Sequence, residues 1–356
     1  MSMMHASSHA DTGLASRTTP PDTARLMRWV LLAMLPGIGV MTWHFGIGVL
    51  TNIIFSGLLG MGLEALMLRL RKRSIRPVLS DHSALLSGVL LGVSLPPASP
   101  WWLIGVGMIA AVVIAKHLYG GLGHNPFNPA MVGYALLLVS FPTQMTLWSP
   151  PTGMGEDVFA TLRQFMGMMS ATELDALSGA TPLDAFKHKG EALMASEFWA
   201  ANPLPPGTLL AWQHVALAWL AGGILLLYKR IISWHIPLAM LGSMLALATL
   251  LYAGDPSHHG SPAFHLFTSG AMLGAFFIAT DPVSAATSRK GKLIYGAAIG
   301  LLVILLRTYG AYPDAVAFSV LLMNLAAPLL DYYSDPRPLG HSAPTRGYQL
   351  PPEDRS

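Results

Sequence analysis

Apolar residues in this chain gather into runs broken by glycine, proline and charged residues, and a bilayer-spanning helix needs roughly 20 such residues in succession. Ten runs answer to that description, over about 28–43, 47–70, 82–95, 101–117, 127–141, 208–228, 232–252, 263–280, 292–309 and 314–332. The pattern predicts an all-α integral membrane protein of about ten transmembrane helices. The runs at 82–95 and 127–141 are short, which predicts a broken or tilted helix at one or both. Residues 1–27 are rich in Ser, Thr and His and lack the basic-then-apolar order of a secretory signal, so they are expected to form a retained, flexible tail. The chain is thus divided into a tail (1–27), a five-helix unit (28–141), a long loop (142–207), a second five-helix unit (208–333) and a C-terminal tail (334–356). The loop carries seven acidic residues, among them Asp175 and Asp184. A connection of that length is usually functional or disordered, and length alone does not separate a working loop from a solvated insertion.

Composition agrees with the bilayer. Hydrophobic residues make up 53% and charged residues 11%, too little polarity to coat a soluble globule. A formal charge of +3 and a pI near 9.1 would suit nucleic acid, but the basic residues lie between the apolar runs. With the N-terminus placed in the cytoplasm, 17 of the 21 Lys and Arg residues fall on that side, including the cluster Arg69, Arg71, Lys72, Arg73 and Arg76. Only Arg163, Lys187, Lys189 and Arg307 fall opposite. This asymmetry is the positive-inside pattern; it predicts cytoplasmic termini and a periplasmic 142–207 loop, and it removes nucleic acid as a partner. The absence of cysteine excludes disulfides, thiol catalysis and Cys-ligated iron–sulfur clusters within the chain.

Two stretches recur. Ser87-Gly88-Val89-Leu90-Leu91-Gly92 matches Ser269-Gly270-Ala271-Met272-Leu273-Gly274, and Pro129 to Tyr134 resembles Pro313 to Phe318. Five spans separate the copies, so the halves would insert with opposite orientation, as two inverted five-helix repeats. Small residues also recur wherever helices pack closely in lipid, and that reading stays open beside the first.

The long loop contains Asp175-Ala176-Leu177-Ser178-Gly179-Ala180-Thr181-Pro182. Its physical content is a threonine hydroxyl flanked by residues without bulk, with a proline fixing the exit of the chain. The same content describes a helix cap or a turn, which Ser and Thr favour. Ser178-Gly179-Ala180-Thr181 with Asp175 upstream resembles the motif at which a flavin transferase esterifies FMN to threonine. Together with its place between the fifth and sixth of ten spans, it resembles the family that contains the D subunit of the Rnf ion-translocating electron-transport complex and the B subunit of the Na+-translocating NADH:quinone reductase. Gly120 to Ala130, with Asn125-Pro126 and Asn128-Pro129, and Thr280-Asp281-Pro282 resemble further segments of that family. As ordinary turns capped by Asn or Asp they would look the same.

The resemblance implies a membrane flavoprotein that relays electrons through FMN covalently bound to Thr181, within a complex exchanging electrons between ferredoxin and NAD+ and moving Na+ or H+ across the inner membrane. It implies iron–sulfur subunits, an FMN-bearing periplasmic subunit and a flavin transferase as partners, and it suggests a second, non-covalent riboflavin whose ligands are not assigned. Flavin exchanges electrons singly or in pairs and so joins one-electron to two-electron carriers. No catalytic residue or metal ligand is assigned in the chain. The first span begins by residue 28, which favours the Rnf type over the quinone reductase type with its longer N-terminal extension. A redox-inactive secondary transporter also suits the broken segments, but leaves Ser178 to Thr181 unexplained. Aromatic residues of the loop, Phe159, Phe165, Phe186, Phe198 and Trp199, are expected mostly to form its own small core. Intramembrane ionisable residues are few; Glu64 is expected to pair with the Arg69–Arg73 cluster, so no complete ion path is expected in this chain.

Overall fold

The computed structural model describes residues 23–151, 157–189, 193–201, 204–312 and 314–334. Most of both predicted tails, together with Glu156, Glu191 and Pro313, lies outside the described residues. Among those residues the structure is helical, with one isolated antiparallel bridge between Trp148 and Gly179.

The first half comprises α1 (Thr23–Phe45), α2 (Gly48–Leu70), a short α3 (Ile75–Leu79), α4 (Ser83–Ser94), α5 (Trp101–Met108), which continues as a π-helix over Ile109–His117, and α6 (Pro129–Ser140). Five short helices follow: α7 (Pro142–Thr146), α8 (Val158–Phe165), α9 (Ala171–Leu177), α10 (Pro182–Lys187) and α11 (Ala195–Ala200). The second half comprises α12 (Thr208–Tyr228), α13 (His235–Gly254), the interrupted series α14 (Pro262–Phe267), α15 (Ala271–Leu273) and a π-helix over Gly274–Ile278, then α16 (Arg289–Tyr309) and α17 (Val316–Ser334). Six helices, α1, α2, α12, α13, α16 and α17, are long and apolar enough to cross a membrane, and α4, α5 with its π extension, and α6 are shorter apolar helices.

Each predicted run is therefore occupied by helix, but the interruptions differ from expectation. The runs at 82–95 and 127–141 hold single unbroken helices of 12 residues each, about 18 Å long. The broken run is the eighth, where Thr268, Ser269 and Gly270 separate α14 from α15. Short helices leave irregular backbone inside the bundle, which is tolerated where protein surrounds it. Residues 95–99 are such a segment: they are buried, and the Pro96 carbonyl accepts from Asn52 Nδ2 at 2.7 Å and Ser99 Oγ at 2.7 Å. The halves also meet here, since Asn128, which caps α6, donates from Nδ2 to the carbonyl of Ile278 at the end of the second π-helix at 3.4 Å.

Close packing explains the small residues. A Cβ on Gly88 would lie 2.6 Å from the Ser56 carbonyl oxygen, and one on Gly92 2.9 Å from Ile53 Cα, so these glycines let α4 sit against α2. In the matching stretch Gly274 sits against Val316 and Met240 instead. The halves also differ in their main contacts: α2 packs most extensively on α4, whereas α13 packs most extensively on α16. Between the halves, α1 and α12 approach closely because Gly37 faces the Trp219 ring and Gly222 faces the Ala33 carbonyl.

Candidate functional site: a threonine at the lip of an aromatic cavity

Helix α9 opens with Ser170 and Glu173 in a reciprocal capping box and ends at Ser178. From there the chain runs extended: Gly179 N–H donates to the Trp148 carbonyl at 2.6 Å, the contact that makes the bridge. Two residues later Thr181 caps α10, with Pro182 at the first helical position and the Asp184 N–H donating to Thr181 Oγ1 at 3.2 Å. The helix-cap reading of the motif is thus realised.

The two hydroxyls of the motif are nevertheless not equivalent. Ser178 Oγ donates its proton to the Asp175 carbonyl at 3.2 Å. Thr181 Oγ1 uses a lone pair in the cap, and among the described residues no acceptor takes its proton. Gly179 has no positive φ, and a Cβ there would meet nothing nearer than 3.9 Å. The fold therefore does not require glycine at 179. Asp175 and Ala180 are exposed, flanking the hydroxyl without touching it.

Thr181 lines a cavity of about 110 Å³ built from both halves of the protein. Its walls come from Met41 of α1, from Met131, Tyr134 and Leu138 of α6, from Trp148, from Trp212 and Trp219 of α12, and from Leu273. Trp148 and Trp212 pack with ring centroids 5.1 Å apart, and Phe45 stands behind both at 5.9 and 5.2 Å. A few polar groups, Thr146, Asp184, Ser269 and Asp314, also reach the wall. Arg307 holds that side: it donates to the His265 carbonyl at 2.7 Å, Ser269 Oγ at 2.6 Å and Asp314 Oδ1 at 3.3 Å. Mostly apolar walls with a few placed polar groups are the kind of lining a small-molecule or cofactor site has.

Thr181 is held over this cavity by its own helix. Lys187, at the end of α10, donates to the carbonyls of Leu306, Arg307 and Tyr312 at 3.4, 3.0 and 3.0 Å, satisfying the C-terminal end of α16. Burial, and then the neighbouring Arg307, pull the Lys187 ammonium below the usual lysine range. The loop's own core lies alongside: Phe186, Phe198 and Trp199 pack with Phe264 of α14. The expected loop core is present in these three residues, whereas Phe159 is 77% exposed and Phe165 packs on Phe55. The aromatic residues that line the cavity with Thr181 are others: Trp148 of the loop, and Trp212 and Trp219 of α12.

A second polar cluster corrects the expectation for Glu64. Its carboxylate is buried and pairs with Lys116 at 2.6 Å and with His117 at 3.4 Å, and Lys116 also donates to Ser83 Oγ at 2.8 Å. The Arg cluster instead reaches this region through Arg71, whose Nη2 donates to the His117 carbonyl at 2.5 Å. Among the described residues no group of three or more His, Asp or Glu side chains is arranged to hold a metal ion.

Fold and cavity together define an all-helical, multi-pass membrane protein with a hydroxyl at the lip of an aromatic chamber. The chain belongs to the NQR2, RnfD, RnfE family, whose profile matches residues 15–340. It is 49% identical over 333 residues to the D subunit of the ion-translocating oxidoreductase complex of Alcanivorax borkumensis, covering 93% of this chain and 96% of that one. It is 50% identical over 333 residues to the protein of the same name from Klebsiella pneumoniae, covering 90% and 95%. The Cellvibrio japonicus protein of that name is 48% identical over 344 residues, covering 93% and 95%.

Proposed function

We propose that the chain is the D-type member of an Rnf ion-translocating ferredoxin:NAD+ oxidoreductase, and that Thr181 carries FMN through a phosphoester bond on the periplasmic side of the inner membrane. Relatives named as the D subunit of an ion-translocating oxidoreductase complex, about half identical along nearly the whole chain, support the D type over the quinone reductase B type. The observation that carries the flavin assignment is the contrast between the two hydroxyls. Thr181 opens onto the aromatic cavity with its proton uncommitted, and Ser178 does neither.

The residues present fit the group. When bound, FMN supplies exchange of electrons singly or in pairs. Trp148 and Trp212 offer flat apolar faces suited to a planar aromatic ring, and the surrounding Met41, Met131 and Leu138 exclude water. Lys187 fixes the tether point by anchoring α10 to α16. The chain has no cysteine, so iron–sulfur centres and the soluble substrates belong to other subunits. The coupling ion of the complex is Na+ or H+, and moving one charge against 100 mV costs about 2.3 kcal/mol.

In-gel flavin fluorescence under denaturing conditions tests the assignment in cells that contain the flavin transferase. The wild-type band fluoresces and Thr181→Val is dark, and mass spectrometry finds the adduct on the peptide containing Thr181. A dark wild-type band with an unmodified peptide argues for a redox-inactive transporter instead.

A further inference from the structure

His44, near the end of α1, and His214, in the second turn of α12, face each other across the seam between these helices. His44 Nε2 lies 3.2 Å from His214 Nδ1, and the ring centroids are 5.3 Å apart. His214 is exposed and His44 half-buried, so the pair is open to the outside of the bundle. We infer that His44 and His214 form a two-imidazole site for a late transition-metal dication, Zn2+ or Cu2+, that clamps α1 to α12 beside the cavity.

Geometry is the first support. Two metal–nitrogen bonds of about 2.0–2.1 Å at a tetrahedral angle set their nitrogens about 3.3–3.4 Å apart. The observed nitrogen–nitrogen separation of 3.2 Å is within about 0.2 Å of that spacing. Chemistry is the second. As a bare pair the rings share a single N–H, and a proton on each would place two cations in contact. A coordinated dication takes a lone pair from both, and imidazole suits zinc and copper.

The pair also differs from the other exposed histidines with side-chain partners. His188 is matched by Asp184 at 3.1 Å and His258 by Asp255 at 2.7 Å; His44 and His214 are matched only by each other among the described residues. The seam beneath them is stiff, because Gly37 admits the Trp219 ring and Gly222 admits the Ala33 carbonyl. The two backbones that carry the imidazoles are therefore held at a fixed spacing before an ion arrives. Two protein ligands leave the remaining positions to water or to a neighbouring protein of the complex. Met41, Trp212 and Val215 on the same two helices line the Thr181 cavity, so an ion here would fix the spacing of two cavity walls. The inference does not depend on the flavin assignment.

Copper titration of the full-length chain in detergent, read by electron paramagnetic resonance, provides the test. One equivalent of Cu2+ gives a spectrum with two coordinated imidazole nitrogens, a large excess of Zn2+ displaces it, and Zn2+ alone raises the melting temperature. Removing either imidazole takes away a direct ligand. In His214→Ala and in His44→Gln affinity therefore falls by more than the roughly 10–100-fold typical of losing an outer-shell partner. His258→Ala leaves the signal intact. His214 is on the surface, so its variant keeps the metal-free melting temperature and separates lost binding from lost fold. Wild-type protein with no saturable Cu2+ signal, or with one unchanged in both variants, overturns the site and leaves a plain imidazole–imidazole hydrogen bond.

Discussion

Toward the C-terminal end of α2, Glu64 is 1% exposed and surrounded by Lys116, Ser83 and His117. Elsewhere in the bundle, α1 and α12 help enclose a cavity walled by Trp, Met and Leu side chains. The Glu64 cluster is charged, is drawn from the first half alone and finds its main partner inside the chain. The Thr181 cavity is mostly apolar with Asp184 and Asp314 at its wall, is drawn from both halves and has space that no described residue fills. Buried charge here is self-compensated, and the incomplete place is the aromatic one. An outside group is therefore to be sought at Thr181, and a structural role is the economical reading of Glu64.

That contrast breaks or holds on three measurements beyond those already described. The largest effect is expected at the charged end. Glu64→Leu strands the Lys116 ammonium, and Lys116→Met strands the carboxylate, each at a cost on the order of 3–5 kcal/mol. The double substitution recovers most of it, as read by thermal unfolding in detergent. A double variant no more stable than either single would show that the cluster answers to something beyond itself.

At the aromatic end, Trp219 is 2% exposed and packs edge-on to Phe277 at 5.4 Å. Trp219→Ala removes a wall and a core contact together and is expected to cost about 3 kcal/mol. The same substitution should widen the cavity, detectable as stronger uptake of an apolar fluorescent probe. A variant that is destabilised but takes up no more probe would mean that the bundle collapses onto the space.

The smallest effect concerns the cap that precedes the motif. The Ser170 N–H, the Arg163 guanidinium and the Ser170 hydroxyl hold Glu173 down from the ordinary 4.5 to about 2. A depressed carboxylate stabilises above its unfolded value and loses that contribution as pH falls through its folded one. Opening of α9 is accordingly expected between pH 4.5 and about 2, read as a lower protection factor, relative to the intrinsic exchange rate at each pH, for the amides of Glu173 and Leu174, with little change in global stability because the side chain is solvated. Glu173→Gln should show the lower protection already at neutral pH.

Much of the membrane architecture was legible in the order of residues because lipid imposes a length on every crossing. The run at 208–228 coincides with α12 as Thr208–Tyr228, since Gly207 in the left-handed region starts the helix and Lys229 follows it. The break between α14 and α15 was not legible: Thr268, Ser269 and Gly270 are compatible with helix, and what interrupts them is Arg307, 38 residues later, bonding to Ser269 and to the His265 carbonyl. Glu64 was misread for the same reason. Nearness along the chain pointed to Arg69–Arg73, whereas the partner, Lys116, arrives from 52 residues away. Thr181 stood out because a hydroxyl among small residues is a local pattern. Its cavity did not, because Trp148, Trp212 and Trp219 become neighbours only when separate stretches of chain fold together.

The three carbonyls gripped by Lys187 belong to the end of α16 and the turn beyond it. Through that grip the segment outside the membrane is geared to a long helix within it. The threonine that caps α10 is thereby moored, six residues back along its own helix, to the far end of a long apolar helix.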